Sequence, residues 1–219
     1  MRPRLLTFDI FGTVLDWRRG LREATAAAGI ALDDAAFDRV IDAQAADEAG
    51  PFRTYAEIAA RSLTGVLGMA AGAAASIAAA AGTWPLYSDS REALRRMQSL
   101  VPCAATTNSD RSHGEQVQAA LGFGLHAWVC AEDVGVYKPD PRVWLAASAR
   151  LAVEPGPWWW HVSAYGDYDL ETARSLGLTC VYVRRPHARP GPTDLAVADL
   201  AELADRVAGA VSAAAIPPG

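Results

Sequence analysis

The stretch Arg4-Leu5-Leu6-Thr7-Phe8-Asp9-Ile10-Phe11-Gly12-Thr13 governs how the rest of the chain is read. Arg4 to Ile10 is a short apolar run with enough β-formers for a buried strand, and it breaks off abruptly at Phe11-Gly12-Thr13. That places the carboxylate of Asp9 at a strand end. From Asp16 to about Gly82 only helical patterns follow. Asp33 and Asp34 precede Phe37, Val40 and Ile41, an i, i+3, i+4 stripe with an N-cap. Thr54 and Glu57 read as a capping box opening a helix through Ile58, Leu63 and Leu67. The alanine-rich Ala73–Ala81 predicts one more helix.

After Trp84-Pro85 the elements alternate. The pattern predicts a helix over Asp89–Leu100, a strand over Pro102–Thr107 and a helix over His113–Leu121. A strand over Ala127–Ala131 leads to a helix over Pro141–Leu151 with proline in its first turn. Then come a strand over Trp159–Ser163, a helix over Asp169–Leu176 stopped by Gly177, and a strand over Thr179–Val183. A last helix is expected from Asp194 to about Val211, with Pro217-Pro218-Gly219 fraying. Strand–helix alternation implies an α/β fold with a doubly wound parallel sheet. The architecture expected is a Rossmann-like core from residues 1–14 and 85–219, with an inserted helical cap over 15–84 hinged at both crossings. In such sheets ligands bind at the carboxyl ends of the strands.

Composition narrows the function. The chain has 219 residues, 51% hydrophobic and 21% charged, which are globular proportions. Twenty basic against 25 acidic residues leave a net charge of −5, so nucleic acid is not expected as a partner. Cys103, Cys130 and Cys180 are too few and too scattered for a disulfide framework or a zinc site. Asp9 interrupts the amino-terminal apolar run too early for a signal peptide. Met69–Gly82 is too short and too weakly apolar to span a bilayer. A cytoplasmic protein with no membrane partner is expected.

The strand ends carry the chemistry. Asp9 with Phe11, Gly12 and Thr13 follows the first strand, and Thr107-Asn108 follows the second. Tyr137-Lys138-Pro139-Asp140-Pro141 follows the third, and Ser163 with Asp167 and Asp169 the fourth. Lys138 is the one lysine among twenty basic residues, the other nineteen being arginine. A chain that uses arginine wherever either cation would serve keeps an ammonium where a guanidinium cannot fit.

The series FDxxGTxxDW, TN, YKPDP and HVSxxxxxD resembles the haloacid dehalogenase superfamily of hydrolases, and its wording is closest to the L-2-haloacid dehalogenase-like branch. The likeness covers residues 5 to about 185 and is loose over the cap. It implies that Asp9 is a nucleophile forming a covalent ester, that Lys138 stabilises it, and that Thr13 orients it. It also implies that Thr107 and Asn108 hold the substrate carboxylate and leaving halide, and that Ser163 and Asp169 complete the fourth motif. Asp169 would fix Lys138 and help activate water; it is equally suited to N-cap the next helix. Phosphatases of the superfamily resemble DxDxT, whose second aspartate protonates the departing oxygen. Phe11 stands there and transfers no proton, which disfavours phosphomonoesters and makes Phe11 a substrate-facing candidate. Tyr165 replaces the asparagine of the dehalogenase pattern. A cap arginine is expected to grip the anion, with Arg39 nearest by position and Arg53 and Arg61 as alternatives. The four histidines, His113, His126, His161 and His187, show no partner at catalytic spacing and receive no role.

The reading expected is hydrolytic dehalogenation of a short 2-haloacid, a small carboxylic-acid substrate, with no cofactor and no metal. Two rivals stay open. One is a magnesium-dependent phosphatase using Asp9, a backbone carbonyl and Asp167 or Asp169 as hard ligands. The other is a catalytically idle binding protein. A homodimer is compatible with the sequence, which does not specify the oligomer.

Overall fold

The structure, a computed structural model, describes residues 2–213. Its centre is a six-stranded parallel sheet of β1 (Leu5–Phe8), β2 (Cys103–Thr107), β3 (Ala127–Cys130), β4 (Trp159–Ser163), β5 (Thr179–Val183) and β6 (Leu195–Val197). The strand order is β3-β2-β1-β4-β5-β6. Every residue of β1, β2 and β4 is buried, as the continuous apolar runs require of strands covered on both faces.

Between β1 and β2 the chain forms α1 (Trp17–Ala27), α2 (Asp34–Glu48), α3 (Tyr55–Leu67) and α4 (Ala71–Ala79), a 3₁₀ turn at Ala81–Thr83, and then α5 (Ser90–Gln98). Beyond β2 come α6 (Arg111–Leu121), the single turn α7 (Ala131–Val134), α8 (Arg142–Leu151), α9 (Glu171–Ser175) and α10 (Leu200–Ala213). Consecutive strand residues enter opposite apolar layers, as the pleat dictates. Leu5, Trp159 and Cys180 pack with Trp144 and Ala173 of α8 and α9. Leu6, Trp160 and Val181 pack with Leu94 of α5 and Leu203 of α10. That second layer runs on without a break into Phe37, Val40, Ile58 and Leu63 of α2 and α3. An antiparallel bridge between Leu15 and Leu86 joins the points where the chain leaves and re-enters the sheet region.

Local signals explain the element ends. Asp33 caps α2 by accepting the Ala36 N–H at 2.7 Å, and the Thr54–Glu57 capping box opens α3. Three expectations need correction. Asp194–Val197 is not helical: the Asp194 carboxylate accepts the Cys180 N–H at 2.8 Å, Leu195–Val197 pairs with β5, and α10 begins only after Asp199 caps Glu202. Residues 166–170 form a π turn, so the next helix starts at Glu171 and Asp169 is not its N-cap. The helix after β2 starts at Arg111, two residues before the expected His113, with Asp110 as its cap. The fraying expected at Pro217-Pro218-Gly219 falls outside the described residues.

Candidate active site

Strand order reverses between β1 and β4, the place where a doubly wound sheet opens a crevice at its carboxyl edge. Asp9 leaves β1 there with its N–H bonded to the Val162 carbonyl of β4 at 2.9 Å. Its carboxylate is buried and held at both oxygens. Lys138 Nζ donates to Oδ1 at 2.9 Å, and the Thr13 hydroxyl donates to Oδ2 at 2.7 Å. Thr13 is fixed in turn, since its Oγ1 accepts the Ala164 N–H at 2.9 Å. The turn between them needs Gly12. Its φ is +97°, and a Cβ would run into the Tyr165 ring, whose hydroxyl accepts the Trp17 indole N–H at 2.8 Å.

Lys138 bridges two carboxylates. Its Nζ lies 2.9 Å from Asp9 and 3.0 Å from Asp169, and all three side chains are buried. Asn108 holds the lysine's main chain from both sides: Oδ1 accepts the Lys138 N–H at 2.7 Å and Nδ2 donates to its carbonyl at 3.1 Å. Asn108 thus sets the position of the ammonium as well as lining the cavity. Burial penalises the lysine's charge, but the attraction of Asp169 and Asp9 outweighs it and raises the ammonium pKa. Burial likewise opposes ionisation of Asp169; Lys138 and His161 overcome it and bring this carboxyl down to about 2. Asp9 receives the smaller share. Burial pushes it above its ordinary value, with Asp169 adding, against the pull of Lys138 and Thr13.

His161, given no role by spacing, stands behind this triad. It neighbours Thr7 across the β1–β4 register, with Nδ1 2.9 Å from the Thr7 hydroxyl. That hydroxyl already accepts the Trp159 indole N–H at 2.7 Å, so its own proton points to Nδ1. The Nε2 side then faces Asp169 Oδ1 at 3.2 Å. A chain of polar contacts runs from Trp159 through Thr7, His161, Asp169 and Lys138 to Asp9. The signal for it was the pairing of β1 with β4, which no spacing within one segment displays.

In front of Lys138 opens a cavity of about 460 Å³ whose walls include Phe11, Tyr55, Tyr137, Tyr165 and Tyr168. Phe11 does line it, and also packs on Tyr55, Trp84 and His113 with ring centres 5.9–6.4 Å apart. Ser163 is buried, its Oγ accepting the Tyr165 N–H at 3.0 Å. Thr107 is buried behind the wall; its hydroxyl has no partner among the described residues.

The arginine expectations fail. Arg39 is exposed, and neither Arg53 nor Arg61 is on the cavity wall; Arg61 binds Asp47 at 2.8 Å. The guanidinium on the wall is that of Arg189, which sequence reasoning missed. Its backbone is joined to the π turn, with Gly166 N–H to Arg189 O at 2.6 Å and Arg189 N–H to Ala164 O at 2.9 Å. Its side chain lies over Tyr165 and Tyr168 and reaches Asp167 at 3.2 Å. The cap supplies a carboxyl instead of a guanidinium. Glu48, on α2, lines the cavity with its Oε2 3.5 Å from Asn108 Nδ2. Burial raises its pKa to about 7 despite Lys138 and Asn108.

A model of haloacid dehalogenase-like hydrolases matches residues 3–157, which span β1, the helical insert, β2, β3 and the Lys138 loop. The chain belongs to the haloacid dehalogenase-like hydrolases. It is 30% identical over 138 residues to (S)-2-haloacid dehalogenase 4A of Burkholderia cepacia. That match covers 59% of this chain and 58% of the relative, less than two thirds of its length. The defluorinating L-2-haloacid dehalogenase Rha0230 superposes with a TM-score of 0.82 at 25% identity, over 94% of this chain and 95% of that one. The L-2-haloacid dehalogenase of Xanthobacter autotrophicus shares the fold, with a TM-score of 0.83 at 18% identity over 94% and 99%. No described helix of this hydrolase is long and apolar enough to cross a membrane.

Proposed function

We propose that the protein hydrolyses the carbon–halogen bond of a short 2-haloacid through an ester on Asp9. One observation carries the reading: a buried strand-end carboxylate held at 2.9 Å by an ammonium and at 2.7 Å by a hydroxyl, with Phe11 two residues on. A carboxylate with a raised pKa is more basic, and so a stronger nucleophile once ionised. An Asp9 oxygen forms a bond to C2 of the substrate while the C2–halogen bond breaks and halide departs. Water then adds to the Asp9 carboxyl carbon, and the ester C–O bond breaks. The 2-hydroxy acid leaves with inversion at C2, Asp9 is regenerated as carboxylate and one proton passes to solvent. Lys138 keeps Asp9 ionised, Thr13 orients it, and Asp169, buried with Oδ2 on the ammonium, holds Lys138. Arg189, whose guanidinium is on the cavity wall, is the group suited to a carboxylate. The (S)-2-haloacid dehalogenase and Rha0230 likenesses support this choice of substrate.

The reading needs no metal. The Lys138 ammonium already occupies the space between Asp9 and Asp169. Among the described residues no three His, Cys, Asp or Glu side chains converge as a metal set. The Asp167 carboxylate turns to Arg189 instead. The test is chloride release from 2-chloropropionate beside phosphate release from a generic monoester, each with EDTA and with magnesium. Chloride release surviving EDTA, and falling more than about a thousandfold in Asp9→Asn at unchanged melting temperature, is the expected result. Phosphate release restored only by magnesium would move the site to the phosphatase reading.

A further inference from the structure

Displacement at carbon is an in-line reaction: the departing group lies on the far side of C2 from the attacking oxygen. Asp9 attacks from the sheet edge, so the leaving atom points towards the cap. The part of the cap over the cavity is one face of α2. Ile41, Gln44, Ala45 and Glu48 recur at i, i+3, i+4 and i+7 and all line it. Gln44 is already committed, giving its amide to Ser62 Oγ at 3.2 Å and accepting the Tyr55 hydroxyl at 3.3 Å. Glu48 is not: among the described residues its single polar neighbour at hydrogen-bond range is Asn108, at a long 3.5 Å. The core offers no acid in exchange, since Phe11 stands at the acid position and Asp169 is spent on Lys138 and His161.

We propose that Glu48 is the proton donor to the leaving group, a role that rests on the dehalogenase reading and names its substrate class: 2-haloacids whose leaving atom is fluorine. Chloride and bromide depart without help. Fluoride is a far more basic leaving group, and a proton delivered as the bond breaks lowers the barrier. In the first step Asp9 bonds to C2, the C2–F bond breaks, and the Glu48 proton goes to fluoride, leaving as hydrogen fluoride. In the second, water opens the ester and its surplus proton returns to Glu48. Both side chains are restored, and one water is consumed per acid released.

The surroundings bring the titration of Glu48 up to the neutral range. Tyr55 from α3, Tyr137 and Lys138 from the loop after α7, and Tyr168 from the π turn face it, while Asp42 and Arg189 share the cavity. Burial opposes its ionisation more than the one nearby ammonium favours it, which puts its titration at about 7. Below that pH the donor form is present; above it the proton, and the donor, are lost.

The experiment measures fluoride and chloride release from 2-fluoropropionate and 2-chloropropionate between pH 5.5 and 9, for the parent, Glu48→Gln and Glu48→Leu. In the parent, fluoride release should fall as pH rises through about 7 more steeply than chloride release does. Glu48→Gln keeps the shape but has no proton to give. It should lower fluoride release about a hundredfold, lower the fluoride-to-chloride ratio at least tenfold, and erase the difference between the two profiles. Glu48→Leu should lower that ratio further. If both halides fall in the same proportion in both variants, or the parent releases chloride but no fluoride, Glu48 only shapes the pocket and the inference fails alone. If the parent releases neither halide, the dehalogenase reading fails and takes this one with it.

Discussion

The floor of the cavity and its cap-side wall are held by different physics. On the floor, Asp9, Lys138 and Asp169 are charges taken out of water together, so each is fixed by its opposite within about 3 Å. The elements that carry them are the end of β1, the loop beyond α7 and the π turn after β4, all at the carboxyl edge of the sheet. On the wall, α2 presents Ile41, Gln44, Ala45 and Glu48 through apolar packing and ordinary hydrogen bonds, and among the described residues no ion pair fixes any of them. A floor of this kind tolerates no change of shape. The wall can change its leaving-group chemistry by one residue without disturbing the nucleophile.

The sharpest way to break that contrast is Lys138→Arg. If charge alone mattered on the floor, arginine would serve, as it does at the chain's nineteen other basic positions. Here Nζ sits buried between carboxylate oxygens at 2.9 and 3.0 Å, and a planar guanidinium cannot occupy that place without displacing Asp9. A displacement of about 1 Å costs on the order of a hundredfold. Turnover should fall by at least that, with little change in melting temperature. Steady-state rates within about tenfold of the parent would show that the floor is not held by shape.

A smaller effect is expected one contact further back. His161→Phe keeps a ring against Trp144, whose centre lies 5.4 Å away, but leaves Asp169 with Lys138 alone. Asp169 is brought down to about 2, from an ordinary value near 3.8, partly by His161. A depressed carboxyl contributes stability that is present above its unfolded pKa and lost as pH falls through the folded one. Removing the imidazole raises the folded pKa and narrows that window from below. The variant should therefore unfold at a higher pH on acid titration, followed by tryptophan fluorescence, and lose about tenfold in turnover, short of the cost of a full 1 Å shift. An unchanged acid midpoint would detach His161 from the floor.

The same division explains what could be read from the chain. β4 and β5 ended where the pattern placed them, and Asp9, Thr13, Lys138 and Asp169 meet as their spacing implied, because strand ends convert linear order into position. His161 was invisible because its partners Thr7 and Trp159 are joined to it by cross-strand register and side-chain reach. Arg189 was invisible because backbone pairing with the π turn, not a motif, delivers it. Glu48 had a signal that went unused: the stripe from Phe37 through Ile41 continues at helical spacing onto a charged residue. The sixth strand was mistaken for helix because three residues carry no period, and Asp194 turns to pair with β5.

Between the two regions lies Asp110, whose carboxylate leaves the core to accept the Tyr55 and Ala56 N–H groups at 2.7 and 2.8 Å. These are first-turn donors of α3 with no partner inside the helix. Asp110→Ala leaves one buried and one part-buried donor unpaired, at a cost of about 1–3 kcal/mol each where no water replaces the acceptor. Urea unfolding should show a loss of that order. KM should rise a few-fold as α3 loosens over the cavity, while kcat changes less because no floor contact is lost. A kcat loss equal to that of Lys138→Arg would mean that floor and wall act as one unit.

The smallest effect separates the wall from the rest of the cap. Arg39 is on the same helix as Glu48, and proximity to the motif made it the favoured anion ligand. At about 100° per residue, however, it lies about 160° round α2 from Ile41, and its side chain is exposed to solvent. A helix turns one face to the cavity, and in α2 that face carries Glu48. A solvated guanidinium on the opposite side has no path to a substrate buried beneath the helix, and its field there is screened by water. Arg39→Ala should therefore leave both kcat and KM for 2-chloropropionate within about twofold of the parent, inside the range of ordinary surface changes. A tenfold rise in KM would require α2 to rotate by nearly half a turn when substrate binds. Glu48 would then swing out of the cavity, so this same measurement bears directly on which face of the cap meets the leaving group.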